Sequence, residues 1–183
     1  SNDLKKQFET IKEDFCFLFV GHWLQGNLGE DRKDVGMLIK TFLMMFKGKK
    51  EKPALILKTS SSGFSIMDRN ELKRKINQIK KSLNLDDFPN IYILHGDLSD
   101  EEMNQLYNHP KVKTHITFTH GEGFGRPLLE ASLSGKPIIA PVSTGQADFL
   151  EKEYVVEIPH TMAKVPESSF PKEYMNPEAV WSV

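Results

Sequence analysis

Short apolar runs of strand length alternate with helical periods over most of the chain, and this alternation limits the possible folds more than any other feature. The runs lie at residues 15–20, 54–57, 91–94, 116–118 and 138–140. Strands that are apolar on both faces are typical of parallel sheets that helices cover on each side. The sequence therefore predicts an α/β fold with a doubly wound parallel sheet.

Helical patterns fill the segments between these runs. Apolar residues recur every three or four positions within 35–46 and 72–83, which is the spacing of one helix face. Ser99 and Glu102 form a capping box, and Pro127 and Gly135 mark the start and the end of a last helix. Ligands of such sheets bind at the carboxyl ends of the strands, so we expect the functional residues in the loops that follow each strand.

One domain with two flanking segments is the predicted organisation. The alternation covers residues 15–157, which we assign to a ligand-binding domain. Residues 1–14 contain Leu4, Phe8 and Ile11 at helical spacing, which predicts a short amphipathic linker. Residues 158–183 contain four prolines and no sustained period, so we expect an irregular tail.

Composition argues against several classes of function. The 183 residues include 24 Lys and Arg against 25 Asp and Glu, a net charge of −1, so no global positive field favours nucleic acid or an anionic membrane. The longest apolar run, at 15–20, is far shorter than the ~20 residues of a transmembrane helix. Cys16 has no second cysteine to pair with, and no signal-peptide pattern is present. Together these features predict a cytoplasmic setting.

The densest motif is residues 120–131, His-Gly-Glu-Gly-Phe-Gly-Arg-Pro-Leu-Leu-Glu-Ala. Its glycines let the backbone approach a ligand closely, and the N-terminus of the following helix favours an anion such as phosphate. Its two carboxylates, Glu122 and Glu130, repel phosphate but accept hydrogen bonds from neighbouring hydroxyls. A ligand with central phosphates and hydroxyls on both sides is a nucleotide sugar.

Other interpretations of this loop are weaker. A nicotinamide dinucleotide site needs a third glycine where Arg126 stands, and its fingerprint follows the first strand rather than the fourth. A kinase glycine-rich loop would be accompanied by a lysine strand and by His-Arg-Asp and Asp-Phe-Gly motifs, which the sequence lacks. A tight turn with a surface glutamate remains the structural alternative.

The motif closely resembles the Glu-x7-Glu signature of family 4 (group 1) glycosyltransferases. The similarity continues through Ser134-Gly-Lys-Pro-Ile-Ile-Ala140 and Gly145-x-x-Asp148 and covers about residues 15–157. It implies the Rossmann-like, C-terminal donor-binding half of a retaining GT-B enzyme, whose N-terminal acceptor-binding domain would be missing here. It further implies that Glu122 holds the donor sugar and Glu130 the ribose, with the intervening loop residues Gly123, Phe124, Gly125 and Arg126 lining the site.

Cations at other strand ends are candidates for binding the diphosphate. Arg32 and Lys33 lie at the start of the first predicted helix, where cations oppose the helix dipole and therefore need another reason to be present. Lys33 matches a lysine of the resembling family, and His22 stands where that family has an arginine. Further candidates follow the second and third strands: Lys58, His95 and Gly96.

No metal site is predicted. The six histidines show no His-x-x-x-His spacing and no Asp-x-Asp occurs, so the diphosphate is expected to be neutralised without a metal and no cofactor is expected. We predict a glycosyltransferase donor domain in which Lys33 and Glu122 are catalytic, acting on a nucleoside diphosphate sugar and an unknown acceptor. The alternatives are a nucleotide-binding module with no activity of its own and a dehydrogenase-type dinucleotide domain.

Overall fold

A parallel sheet forms the centre of the molecule. The computed structural model describes residues 2–24, 26–61, 63–84, 86–170, 173 and 176–183. In this part of the chain six parallel strands lie in the order β3-β2-β1-β4-β5-β6. Their bounds are β1 Cys16–Val20, β2 Ala54–Lys58, β3 Ile91–Leu94, β4 Val112–Ile116, β5 Ile138–Ala140 and β6 Val155–Glu157.

Helices cover both faces of this sheet, which confirms the doubly wound α/β fold. They are α1 Asn2–Thr10, α2 Val35–Phe46, α3 Ile66–Leu83, α4 Asp100–Asn108 and α5 Arg126–Ser132. Successive strand residues point to opposite faces: Cys16 and Leu18 join a core with α1, α4 and α5, whereas Phe19 joins a core with α2 and α3. Both faces are therefore buried, which explains the continuous apolar runs.

The fourth strand lies earlier in the chain than the prediction at 116–118. It spans Val112–Ile116, where Thr114 and His115 interrupt the apolar pattern but are buried. The Thr114 hydroxyl donates to the Pro137 carbonyl oxygen at 2.8 Å. Burial lowers the pKa of His115 to about 3, so the imidazole is neutral and tolerated in the core. Polar residues that bury in this way are invisible to a search for apolar runs.

The two flanking segments are more ordered than expected. The predicted amphipathic stretch forms α1, and Leu4, Phe8 and Ile11 enter the same core as α4 and α5. The segment expected to be an irregular tail contains β7 Met162–Lys164 and β8 Val180–Ser182, paired antiparallel. These strands and β6 have only three residues each, one of which is polar or charged, so they form no continuous apolar run and the pattern missed them. The domain boundaries at 14/15 and 157/158 stay a prediction.

Helix α1 should contribute to stability as a part of the core. The Phe8 side chain is buried and stacks on the His109 ring with centroids 3.5 Å apart. Phe8→Ala should lower the free energy of unfolding by about 3–5 kcal/mol because a buried aromatic ring is lost. Met67→Ala, at an 82% exposed position, should change it by less than about 0.5 kcal/mol. Equal effects in urea unfolding would show that α1 is only a linker.

Candidate functional site

A cavity of about 500 Å³ opens at the carboxyl ends of β1 and β2, against the loop between β4 and α5. It lies beside the point where the strand order reverses, between β1 and β4, which is where open α/β sheets bind ligands. Most of the predicted site residues line it: His22, Arg32, Lys33, Lys58, Glu122, Phe124, Gly125 and Arg126. The structure therefore brings these predicted residues together around one cavity.

An ion-pair cluster connects the two loops that flank the cavity. Lys33 Nζ contacts Glu122 Oε1, and Arg32 Nη1 lies 3.1 Å from Glu122 Oε2. Arg32 also donates to the Gly121 carbonyl oxygen at 2.9 Å. The Lys33 and Glu122 side chains are 8% and 7% exposed, whereas that of Arg32 is 45% exposed. One carboxylate thus holds two cations, one buried and one open to the solvent.

Burial and charge act against each other in this cluster. Burial is the largest influence on Lys33 and lowers its pKa, although the Glu122 carboxylate opposes the change. Burial would raise the pKa of Glu122, but the Lys33 ammonium and hydrogen bonds from Lys33 and Thr119 together outweigh it, so the pKa lies below its usual range. Glu122 is therefore ionised at neutral pH.

The loop that carries Glu122 is held by a segment that sequence reasoning did not place at the site. The Glu122 amide donates to Thr144 Oγ1 at 3.0 Å, and the Gly145 amide donates to the Glu122 carbonyl oxygen at 3.0 Å. A Cβ on Gly145 would lie 2.1 Å from the Gly123 carbonyl oxygen, so only glycine allows this approach. The Gly145-x-x-Asp148 match was the available signal for this contact.

Two predicted cavity residues also make internal contacts. His22 Nδ1 lies 3.0 Å from Ser60 Oγ. Lys58 Nζ donates to the Gly96 carbonyl oxygen at 2.6 Å, and burial lowers the pKa of Lys58 while Asp97 opposes that change. Lys58 therefore joins the end of β2 to the loop after β3. Gly96 takes part in this contact through its carbonyl oxygen and not through a side chain.

Glu130 lies apart from the cavity lining. Its Oε1 accepts a hydrogen bond from Arg126 Nε at 2.6 Å, and the Arg126 side chain, 75% exposed, lines the cavity. Glu130 thus approaches the cavity only through Arg126. Gly123 lines a shallower depression on the other side of Glu122, together with Arg32 and Trp181.

His95 faces a different cavity, of about 730 Å³, between α1, α3 and the edge strand β3. Its Nε2 lies 2.8 Å from Asp68 Oδ2. Although this second cavity is larger, His95 is the only predicted site residue in its lining. We therefore take the cavity beside Glu122 as the candidate site.

Among the described residues, no group of three or more His, Cys, Asp or Glu side chains could hold a metal ion. No helix among them is long and apolar enough to cross a membrane.

No protein-family model and no curated protein matches the sequence. Among solved structures, the C-terminal domain of LpcC, a group 1 glycosyl transferase from Francisella tularensis, is similar with a TM-score of 0.56 and 20% identity, covering 86% of this chain and 75% of that one. This chain has the fold of a group 1 glycosyltransferase C-terminal domain.

Two longer proteins contain the same fold. HepE from Anabaena, in complex with UDP and glucose, is similar with a TM-score of 0.56 and 17% identity over 81% of this chain and 35% of HepE. The α,α-trehalose-phosphate synthase from Burkholderia vietnamiensis gives a TM-score of 0.60 and 13% identity over 84% of this chain and 34% of the synthase. The chain thus spans about a third of each, and the resemblance stated from the sequence is confirmed for the fold.

The Glu122 cluster should be a larger source of stability than the exposed Glu130 pair. Glu122→Gln leaves the buried Lys33 ammonium without a full counter-charge, which should lower the free energy of unfolding by about 3 kcal/mol at pH 7. Glu130→Gln breaks a pair whose arginine is 75% exposed and should cost less than about 1 kcal/mol. Urea unfolding of both variants measures the difference.

The same comparison has a defined pH dependence. Because the folded-state pKa of Glu122 is lowered, its contribution is present above the unfolded-state pKa and is lost as the pH falls through the folded-state value. The gap between wild type and Glu122→Gln should therefore close in acid. A gap that is equal at pH 7 and in acid would contradict an ionised pair.

Proposed function

We propose that this chain is the donor domain of a retaining glycosyltransferase and binds a nucleoside diphosphate sugar in the cavity beside Glu122. The observation that carries the proposal is the meeting of Arg32, Lys33 and Glu122 at the strand ends, in a fold shared with HepE, which was solved with UDP-glucose. Two cations suit a diphosphate and one carboxylate suits sugar hydroxyls.

Each residue has a defined role in this proposal. Lys33 and Arg32 bind the diphosphate and stabilise the negative charge that grows on it as the sugar leaves, an electrostatic effect that is usually the largest in catalysis. Glu122 accepts hydrogen bonds from the sugar and keeps both cations in place. Arg126, which lines the cavity, brings Glu130 towards the ribose. His22, Lys58, Gly96, Phe124 and Gly125 complete the donor pocket.

The isolated chain should bind donor but transfer no sugar. It spans about a third of HepE, and we infer that a separate N-terminal domain supplies the acceptor site. A cytoplasmic setting suits the single buried Cys16. The competing proposal is a nucleotide-binding module without activity, which the same cavity also suits because Arg32 and Lys33 offer two cations to a bare diphosphate.

Calorimetric titration with uridine, guanosine and adenosine diphosphates, free and as sugar conjugates, tests the donor site directly. We expect at least one nucleoside diphosphate to bind, because Lys33 and Arg32 offer two positive charges at the strand ends. The same titration in EDTA should give an unchanged affinity, since the cations neutralise the diphosphate without a metal. No binding to the whole panel at millimolar concentration would refute the site, and loss of binding in EDTA would refute metal independence.

The roles of the two glutamates can be separated by comparing UDP with UDP-glucose, or the corresponding pair of ligands from the panel. Glu122→Gln should weaken binding of the conjugate relative to the free diphosphate by roughly 10-fold, about the size of one hydrogen bond to a charged group. Binding of the free diphosphate should change less, because the loss of the contact that holds Lys33 and Arg32 is offset by the loss of a carboxylate that competes for them.

Glu130→Gln is the matched control: it is the same change of side chain, in helix α5, which follows the Glu122 loop. It should weaken both ligands by the same factor, because both contain ribose, and leave their ratio unchanged. If Glu122→Gln also leaves the ratio unchanged, Glu122 does not contact the sugar and the module without activity becomes the better proposal. Thermal melting of both variants confirms that each is folded before titration.

A further inference from the structure

His120 lies where three segments of the chain meet. Its side chain is 7% exposed and packs between the β1–α2 loop, the Glu122 loop and strand β8. Nδ1 lies 2.6 Å from the Ser182 carbonyl oxygen, and Nε2 lies 3.1 Å from the Gly29 carbonyl oxygen. A carbonyl oxygen only accepts hydrogen bonds, so both ring nitrogens must donate. Only the doubly protonated imidazolium has two N–H groups.

The surroundings of the ring favour a positive charge. Asp34 Oδ2 lies 3.6 Å from Nε2, and the carboxylate of Asp31 also acts on the ring from the same loop. Strand β8 contributes no charged group: Ser182 offers its carbonyl oxygen, and the Trp181 ring stacks on the imidazole with centroids 4.4 Å apart. An aromatic face attracts a cation, so two elements favour the charged form.

Asp34 adopts a strained conformation that keeps its carboxylate close to His120. It precedes α2 with φ 48°, in the left-handed region, and its side chain does not cap the helix. Asp31 Oδ1 instead accepts from the Val35 amide at 3.2 Å. A non-glycine residue in this region persists only where its surroundings impose it. Burial raises the pKa of Asp34, and the His120 charge opposes that change, so a charged His120 and an ionised Asp34 stabilise each other.

We propose that His120 is held as an imidazolium and that this charge makes it a positioning residue for the donor site, joining strand β8 to the loop of Glu122. The backbone connects His120 to Glu122, which lies two residues further along the chain. The His120 amide donates to the Arg32 carbonyl oxygen at 2.9 Å, and Ser182 returns two hydrogen bonds to the His120 carbonyl oxygen from its amide and its hydroxyl. The effect on ligand affinity rests on the proposed function, whereas the protonation state does not.

Nitrogen NMR of the histidine rings tests the charge without any ligand. In the ¹⁵N-labelled chain at pH 7, both His120 nitrogens should show imidazolium shifts and two slowly exchanging N–H protons. His115 is an internal control, because it is buried with neither ring nitrogen paired among the described residues and its pKa is about 3, so it should give neutral shifts. A neutral His120 at pH 7 would overturn the proposal.

Titration with UDP, or with the diphosphate that binds best, tests the positioning role. His120→Gln should weaken binding about tenfold, the scale of one charge-assisted hydrogen bond, whereas His160→Gln, the same change just before β7, should leave it unchanged.

The outcomes of these experiments are distinguishable. An imidazolium signal together with wild-type affinity in His120→Gln would overturn the positioning role but leave the charge. If no nucleotide binds the wild type, the proposed function fails and the NMR result still decides the charge. If Gln at position 120 prevents folding, the NMR spectrum of the wild type decides the proposal, and a neutral His120 ring would overturn it.

Discussion

The buried carboxylate of Glu122 bridges the loops that follow β1 and β4, at the point where the strand order reverses. The loops after β1 and β4 leave neighbouring strands, and in a doubly wound sheet such loops diverge to opposite faces and open a crevice. Here the crevice is bridged by Lys33 and Arg32 from one loop and Glu122 from the other. Separating these loops would leave charges buried without partners, which is costly. The geometry of the candidate site therefore depends on this contact.

The sheet could be predicted because its strands are buried on both faces. Residues 16–20 and 54–58 are apolar at nearly every position, and this composition distinguishes a parallel central strand from a half-exposed one. The helices followed from period and from end signals such as the Ser99 capping box, which the structure contains. The fourth strand was misplaced because Thr114 and His115 are buried polar residues, whose hydrogen bonding and protonation depend on tertiary contacts that local pattern does not contain.

The sequence predicts which residues belong to the candidate site better than it predicts the contacts between them. The positions of Arg32 and Lys33 were informative because cations at the start of a helix oppose its dipole. Their partner Glu122 lies 89 positions or more along the chain, a separation at which spacing arguments have no force. The contacts of His120 with β8 are 62 positions apart and were missed for the same reason. His95 was placed correctly at a strand end, but the direction of its side chain, towards Asp68, is fixed by packing against α3.

The ion-pair cluster also affects how strongly the proposed site would bind a diphosphate. Lys33 is buried and already held by Glu122 before any ligand arrives, so little side-chain entropy remains to be lost on binding, as expected of a preorganised electrostatic site. The same pairing makes Glu122 a competitor of the diphosphate for both cations. A ligand that offers only phosphate must share the cations with this carboxylate. Under the proposed function, a ligand that also offers hydroxyl donors would satisfy the carboxylate while its phosphates engage Arg32 and Lys33, and the complete nucleotide sugar would bind in preference to its leaving group.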